Sequence, residues 1–490
     1  MIRSPQSEGM PIHRRNQPVF GWLDWLIWAG ALLGLVVLCL YAYRDLPVRP
    51  FAADDFQWLV SVRGLSFDQL LQQAFDPLAQ RHFYRPMIWL LFAGQFWWFG
   101  LGADGYHAIS LFLHLINALL LGGLALRWYE RQLPTAPWQL LVVGFVPAVV
   151  LAFHPAPFEA IVWISAQSEL FGAFLLLLVL HAWLANRPIL ATLLLAMAML
   201  TKESAILGVP LLLVLAAGHP NTPKRHWYLL PGLLTLLFVF VQLRVGQENR
   251  VLREGLYGIG EHLLTNLLRS LALIIAPLSG TEHADATWLV PLGAVLAVAL
   301  LLLAGVAIWR WRSPSWNLLL RLLLALGLVL LPTAPFRSPP DSRYLYLPVA
   351  IAGMMVALAI VALWRQPGVD RRLTAGTWLR RMIGVAILAG ALGWSVEELS
   401  QREARFAAGA GPGGSLWRLT SQICSAEHPG VLVLVEPPLM TDHIHAIVDL
   451  ACGTSARAVI VQRSELEAAT RDHSVIISFP GGAATIERWV

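Results

Sequence analysis

Apolar runs of about 20 residues recur along most of this chain, each long enough to cross the hydrocarbon core of a bilayer as a helix. In lipid every backbone N–H and C=O must find its partner within the chain, so such runs fold as a bundle of spanning helices. The balance of residue types agrees. Of the residues, 57% are hydrophobic and 13% charged, with a mean hydropathy of +0.62, whereas a soluble globular protein carries roughly a quarter charged residues. The sequence describes a multi-pass helical membrane protein.

The first run, GWLDWLIWAGALLGLVVLCLYAY (21–43), is too long for a cleaved signal and lacks a small-residue cleavage site. It reads as a retained first span. A net charge of +5 would suggest nucleic acid in a soluble protein, but here the basic residues cluster in short loops and read as topology signals. Arg3, Arg14 and Arg15 place the tail 1–20 in the cytoplasm, so the loop 44–85 lies outside, with an amphipathic helix in FDQLLQQAF (67–75). Residues 86–103 form a short hairpin or tucked helix. Spans at 105–127, 138–153, 160–184, 188–200, 205–217 and 227–245 follow, with basic residues at 127–131, 187 and 223–226 on the inside. Parity with WRWR (309–312), which ends the span 288–308, requires that 260–277 lie on the outer surface. Spans at 316–332, 344–364 and 381–395 complete the count, the last two separated by Arg365, Arg371, Arg372, Arg380 and Arg381. The five arginines of loop 44–85 fit this scheme poorly, but the remaining loops outvote them.

Beyond Ser400 the texture changes. AAGAGPGG (407–414) reads as the core of a flexible linker, 396–414, after the transmembrane part 21–395. The β-rich runs VLVLVE (431–436), ARAVIVQ (456–462) and SVIISF (474–479) then alternate with helical stretches, giving a small soluble α/β domain over 415–490. The three cysteines have no CxxC spacing and carry no metal motif. If the domain lies outside, Cys424 and Cys452 are free to pair, buried thiols being the alternative.

With sides assigned, Asp54, Asp55, Arg85, His154, Glu159, Lys202, Glu203, Arg343 and Tyr344 fall at the outer ends of different spans. Each has an ordinary explanation: a helix-end histidine before proline, a snorkelling Lys–Glu pair, an interfacial arginine. Together they are harder to dismiss, because charges close to hydrocarbon are rare and usually functional. Only two of the 35 basic residues are lysines, which makes the position of Lys202 informative. The adjacent Asp54 and Asp55 repel one another and lose hydration near lipid, a cost that calls for a use. Cations at such a boundary suit a phosphate on a lipid, and a carboxylate suits removal of a proton from an attacking hydroxyl.

Six stretches occur in an order that resembles the GT-C superfamily of membrane glycosyltransferases, especially its protein O-mannosyltransferase-like branch. They are ADDF (53–56), YRP (84–86), GYHAISLFLHLINALLL (105–121), HPAPFEAIVWISAQSEL (154–170), TKES (201–204) and SRYLYLP (342–348). The resemblance runs from about residue 20 to 365. It implies an all-α GT-C bundle of roughly 11–13 transmembrane segments and a polyprenyl-phosphate-linked sugar as donor, used on the extracytoplasmic face. It also implies Asp54 as the base, Asp55 as a neighbour that positions the acceptor, and Lys202 and Arg343 as contacts for the carrier phosphate, with Arg85 a weaker one. His154 and Glu159 would line the same cavity, together with Glu203 and Tyr344. Two features depart from the family: Gln167 stands where many relatives carry arginine, and the small α/β domain replaces the repeats many of them carry.

The expected activity is inverting transfer of a sugar from a polyprenyl-phosphate carrier to the hydroxyl of a protein, glycan or lipid, at the periplasmic face of a bacterial cytoplasmic membrane. No metal or other cofactor is required by this picture, and no nucleic acid. The alternatives are a lipid-linked-sugar flippase or a non-enzymatic envelope scaffold, and, within the same fold, transfer of another lipid-linked group to a glycolipid.

Overall fold

The structure, a computed structural model, describes residues 22–77, 83–130, 137–216, 219–246, 255, 257–277, 286–364, 375–426, 429–453, 455–469 and 474–489. The tail 1–20 and the arginine-bearing stretch 365–374 lie outside the described residues. Nine helices lead into the site: α1 (Trp22–Ala42), α2 (Asp55–Val62), α3 (Phe67–Phe75), α4 (Pro86–Phe99), α5 (Ala103–Glu130), α6 (Pro137–Phe153), α7 (Glu159–Val162), α8 (Gln167–Leu184) and α9 (Pro188–Met199). Later helices are named by their residues.

Among the described residues, seven helices are long and apolar enough to cross a membrane, from Leu26–Val48 to Ser342–Ala362, and four apolar helices are shorter. One of the shorter ones, His262–Ile275, has 14 residues, about 21 Å of helix, too little to cross a core of about 30 Å alone. Its Asn266 donates to the carbonyls of Ala334 and Phe336, tying it to the 331–336 segment. The protein is a multi-pass membrane protein.

Helix α6 lies between α5 and the helix Tyr346–Trp364. A Cβ added at Gly122 of α5 would stand 2.4 Å from the carbonyl oxygen of Gly144, so the two backbones meet where neither carries a side chain, the usual device for close helix contact in lipid. In the outer loop, α3 forms over the expected stretch because Ser66 and Gln69 cap one another: Gln69 N–H donates to Ser66 Oγ and Ser66 N–H to Gln69 Oε1. Pro86 opens α4 as a single helix, where a hairpin was the other expectation.

The stretch expected as a linker is helical. Residues Ala375–Ala426 form one helix of 52 residues with Pro412 inside it, absorbing the last expected span, the linker 396–414 and the start of the small domain. Two of the four glycines that suggested flexibility, Gly413 and Gly414, serve contact instead, while Gly409 and Gly411 face open space. A Cβ at Gly414 would stand 3.0 Å from Pro50, and one at Gly413 would stand 3.6 Å from Phe56. Buried charges fix the same helix to the membrane body: Arg402 pairs with Glu398 at 2.9 Å and donates to the Pro277 carbonyl at 2.9 Å. Arg49 stands 3.4 Å from Glu403.

After this helix the chain builds a four-stranded sheet from β1 (Val431–Val435), β2 (Arg457–Val461), β3 (Ser474–Ser478) and β4 (Thr485–Trp489), in the order β2-β1-β3-β4. The first three are parallel and β4 is antiparallel to β3. Helix Thr441–Cys452 is the crossover from β1 to β2, as parallel pairing requires. Leu432 and Leu434 face this helix and share a core with Phe51, Phe56, Leu59 and Val62, whereas Val433 and Val435 pack on the other face with Leu466. The domain and the site-bearing loop thus have one hydrophobic core in common.

Cys424 and Cys452 are joined in a disulfide, and Cys39 is a buried free thiol. The bond closes a loop over a sequence separation of 28, for which chain entropy gives about 3–4 kcal/mol. Unreduced protein should therefore resist alkylation at both positions, and Cys452→Ser should lower the unfolding midpoint in detergent. Mass spectrometry and thermal melts check the two statements; free alkylation of Cys424 in the native protein would contradict the first.

Candidate functional site

Ala53 adopts a left-handed conformation, φ 48°, which costs a side-chain-bearing residue about 1–2 kcal/mol. The twist sets the two acids apart. Asp54 stays outside with its side chain 45% exposed, while Asp55, the first residue of α2, turns inward and is 1% exposed.

Asp55 is fully engaged. Its Oδ2 accepts from Ala52 N–H at 2.8 Å, and its Oδ1 accepts from Ser165 N–H at 2.7 Å and from the Ser165 hydroxyl. The carboxylate fastens the loop after α1 to the Ile164–Ala166 turn, and each oxygen is bonded within the protein, which together with its burial supports a fastening role. Burial pushes the Asp55 carboxyl up to about 7, against the pull of these hydrogen bonds, and the Asp54 charge adds to the rise.

From the Asp55 fastening a chain of contacts leads to the basic residues. Trp163, beside Ser165, donates its indole N–H to the Ala52 carbonyl at 3.4 Å, and the Arg343 guanidinium lies 4.6 Å over its ring. Arg343 pairs with Asp341, stands 3.7 Å from Glu159, and lies 5.1 Å from the Tyr344 ring centre. Lys202 lies 5.0 Å from the same ring, is 4% exposed and pairs with Glu169. Arg85 makes a two-pronged contact with Glu203 at 2.8 and 2.9 Å. Of the nine residues singled out in the sequence, Asp55, Arg343, Glu159, Tyr344 and Lys202 are thus linked by this chain, Asp54 adjoins Asp55, and the Arg85–Glu203 pair adjoins Lys202 through Glu203.

His154 is the ninth and stands apart. Its Nδ1 accepts from Ala156 N–H at 3.2 Å and its Nε2–H donates to the Ile274 carbonyl at 2.8 Å. Burial pushes its pKa down to about 4. The ring fastens the end of α6 to the helix His262–Ile275 and does not line the cluster. Gln167, at the position that departs from the family, accepts from Gln95 Nε2 at 2.8 Å and donates to the Tyr106 carbonyl and Ser110 Oγ. This closed neutral network fills the space without adding a cation.

Sequence reasoning missed the partners. Glu169 lies in a quoted motif but carried no sign of pairing with Lys202, and Asp341 precedes SRYLYLP by one residue. Every cation of the cluster faces a carboxylate: Glu169, Glu203, and Glu159 with Asp341. Burial pushes the Glu159 carboxyl above its usual range although Arg343 pulls it down.

No protein-family model and no curated protein matches the chain. Among solved structures it is similar to ArnT from Cupriavidus metallidurans bound to undecaprenyl phosphate, with a TM-score of 0.50, 13% identity and 94% of each chain covered. The chain shares the fold of that protein. The apo oligosaccharyltransferase of Archaeoglobus fulgidus is also similar, at 12% identity and a TM-score of 0.49. That match covers 87% of this chain, which spans 64% of the other's length. The ArnT match takes in nearly the whole chain, so the likeness in fold is not confined to the membrane bundle.

The raised pKa of Asp55 has a measurable consequence. Because the folded state holds this proton more tightly than the unfolded chain, its contribution to stability is full below 3.8 and is lost as pH rises to about 7. In detergent, the melting midpoint of the wild type should fall more across this window than that of Asp55→Asn. The variant should be less stable at acid pH, since an amide leaves one of the buried donors unsatisfied, at about 1–3 kcal/mol. Parallel curves for the two proteins would contradict the assignment.

Proposed function

We propose that this protein is an inverting glycosyltransferase that moves a sugar from a polyprenyl-phosphate-linked donor to an acceptor hydroxyl, at the periplasmic face of a bacterial cytoplasmic membrane. One observation carries the reading. The half-exposed carboxylate of Asp54 adjoins a chain of contacts that runs to the half-buried Arg343 and Tyr344 and the buried Lys202, in a fold shared with a protein crystallised with undecaprenyl phosphate. The O-mannosyltransferase-like motifs favour a hexose such as mannose, with a protein, glycan or lipid as acceptor.

In this mechanism the acceptor oxygen attacks the anomeric carbon from the face opposite the carrier. The new C–O bond forms as the bond to the phosphate oxygen breaks, which inverts the centre. The acceptor proton passes to Asp54, and the negative charge gathers on the departing lipid phosphate. Arg343, Lys202 and Arg85 face that charge from fixed positions, so little reorganisation accompanies its development. Their carboxylate partners hold the side chains in place before the donor arrives. The donor phosphate then competes with these partners, most easily with Glu159, the acid that burial favours in its neutral form.

Asp54→Asn keeps size and shape but removes the proton acceptor. General-base contributions are roughly two to four orders of magnitude, so sugar transfer at saturating donor should fall by at least about a hundredfold, with protein levels little changed. Near-normal turnover in this variant would sink the base assignment.

Lys202→Met should raise the donor KM, but it also strands Glu169, whose charge is then buried without its partner. The pair Lys202→Met with Glu169→Gln removes both charges and restores folding. If the double variant melts like the wild type and still binds donor with wild-type KM, Lys202 takes no part in phosphate binding.

A further inference from the structure

The domain built from the last quarter of the chain reaches the site. His443 lies on the first turn of helix Thr441–Cys452, and its Nε2 is 2.9 Å from Asp54 Oδ1. A carboxylate oxygen only accepts, so Nε2 carries the hydrogen and donates it. The imidazole is 5% exposed, whereas Asp54 is 45% exposed at its side chain. Of this pair, Asp54 is the group open to a substrate and His443 the one enclosed by protein.

Several contacts hold the histidine there. Arg63, at the end of α2, donates to the Asp449 carbonyl at 2.8 Å and to its carboxylate at 2.9 Å, so both ends of α2 are bonded to one helix. Ile444 and Ile447 share a core with Phe56 and Leu59. The disulfide secures the far end of the same helix through Cys452. Asp54 itself makes no side-chain cap to α2, and its carboxylate orientation is set from outside its own segment.

We propose that the C-terminal α/β domain is a working part of the glycosyltransfer site, with His443 the positioning residue that orients the Asp54 carboxylate toward the acceptor hydroxyl. The proposal rests on the reading of Asp54 as the base. His443 holds one oxygen and leaves the other to take the proton. The opposite division of labour, with Asp54 orienting a basic His443, requires the enclosed group to meet the acceptor, and the exposures favour the reverse.

The test is a double-mutant cycle in full-length protein, assayed for sugar transfer from polyprenyl-phosphate sugars. His443→Leu should lower turnover about ten- to a hundredfold, the range for loss of one hydrogen bond to a charged group, with the donor KM unmoved. His443→Gln, which keeps an N–H donor but cannot act as a base, should recover part of that loss. In the Asp54→Asn background the leucine replacement should have less than about a twofold effect, because its partner is already impaired. His443→Asn, polar but too short to reach Asp54, stands in should the leucine variant fail to fold.

Wild-type turnover in His443→Leu would overturn the proposal, as would an equal loss in both backgrounds, which marks a purely structural effect. Glutamine as inactive as leucine would make His443 the base and overturn it too. A wild type that transfers no sugar from any donor would overturn the glycosyltransferase reading itself, and the role of His443 with it. Transfer by the wild type with no response at His443 would overturn the positioning role alone.

Discussion

The inward carboxylate of Asp55 joins the loop after the first span to the turn that carries Trp163 and Ser165. Three donors from two separate segments converge on it: Ala52 N–H, Ser165 N–H and the Ser165 hydroxyl. The same segments also share the Trp163–Ala52 indole–carbonyl contact and a hydrophobic core in which Ile164 packs with Phe51 and Phe56. Burying a carboxyl is costly unless its oxygens are satisfied, and here they are. The fastening brings the start of α2 against the turn that carries Trp163, and Trp163 in turn supports Arg343. The left-handed Ala53 is the other half of the device, since it lets two successive side chains serve opposite environments.

The basic cluster is a balanced assembly and not an exposed patch of positive charge. Lys202 and Glu169 are both almost wholly enclosed, and either charge alone would be expensive at that depth. Pairing permits three cations to stand near lipid without a ligand. It also means that an arriving phosphate exchanges one set of partners for another, so discrimination depends on the geometry of the exchange as much as on net charge.

Much of this was legible in sequence. Seven of the expected spans follow from apolar runs, whereas 138–153, 188–200 and 205–217 form shorter helices; α3 follows from its capping pair and the strands from runs such as VLVLV, because each of these signals is local in the chain. Asp54 and the cations stood out because charge beside lipid is rare. Other features had no local signal. Nothing around His443 distinguishes it from a core histidine until the fold sets it beside Asp54. His154 was misjudged because its proline neighbour and its place at a span end say nothing of what its ring bonds to. The AAGAGPGG stretch misled for a specific reason: glycine signals freedom when exposed and close approach when packed, and only Pro50 and Phe56 decide between them.

The contact between His443 and Asp54 spans 389 positions. A ribosome adding about 5–20 residues per second needs on the order of 20–80 seconds to cover that distance. During that interval the first span, the outer loop and most of the bundle already exist, but the histidine beside Asp54 does not. The histidine therefore reaches Asp54 only after the first span and most of the bundle have been made, and a chain that stops before residue 443 leaves the Asp54 carboxylate without this donor.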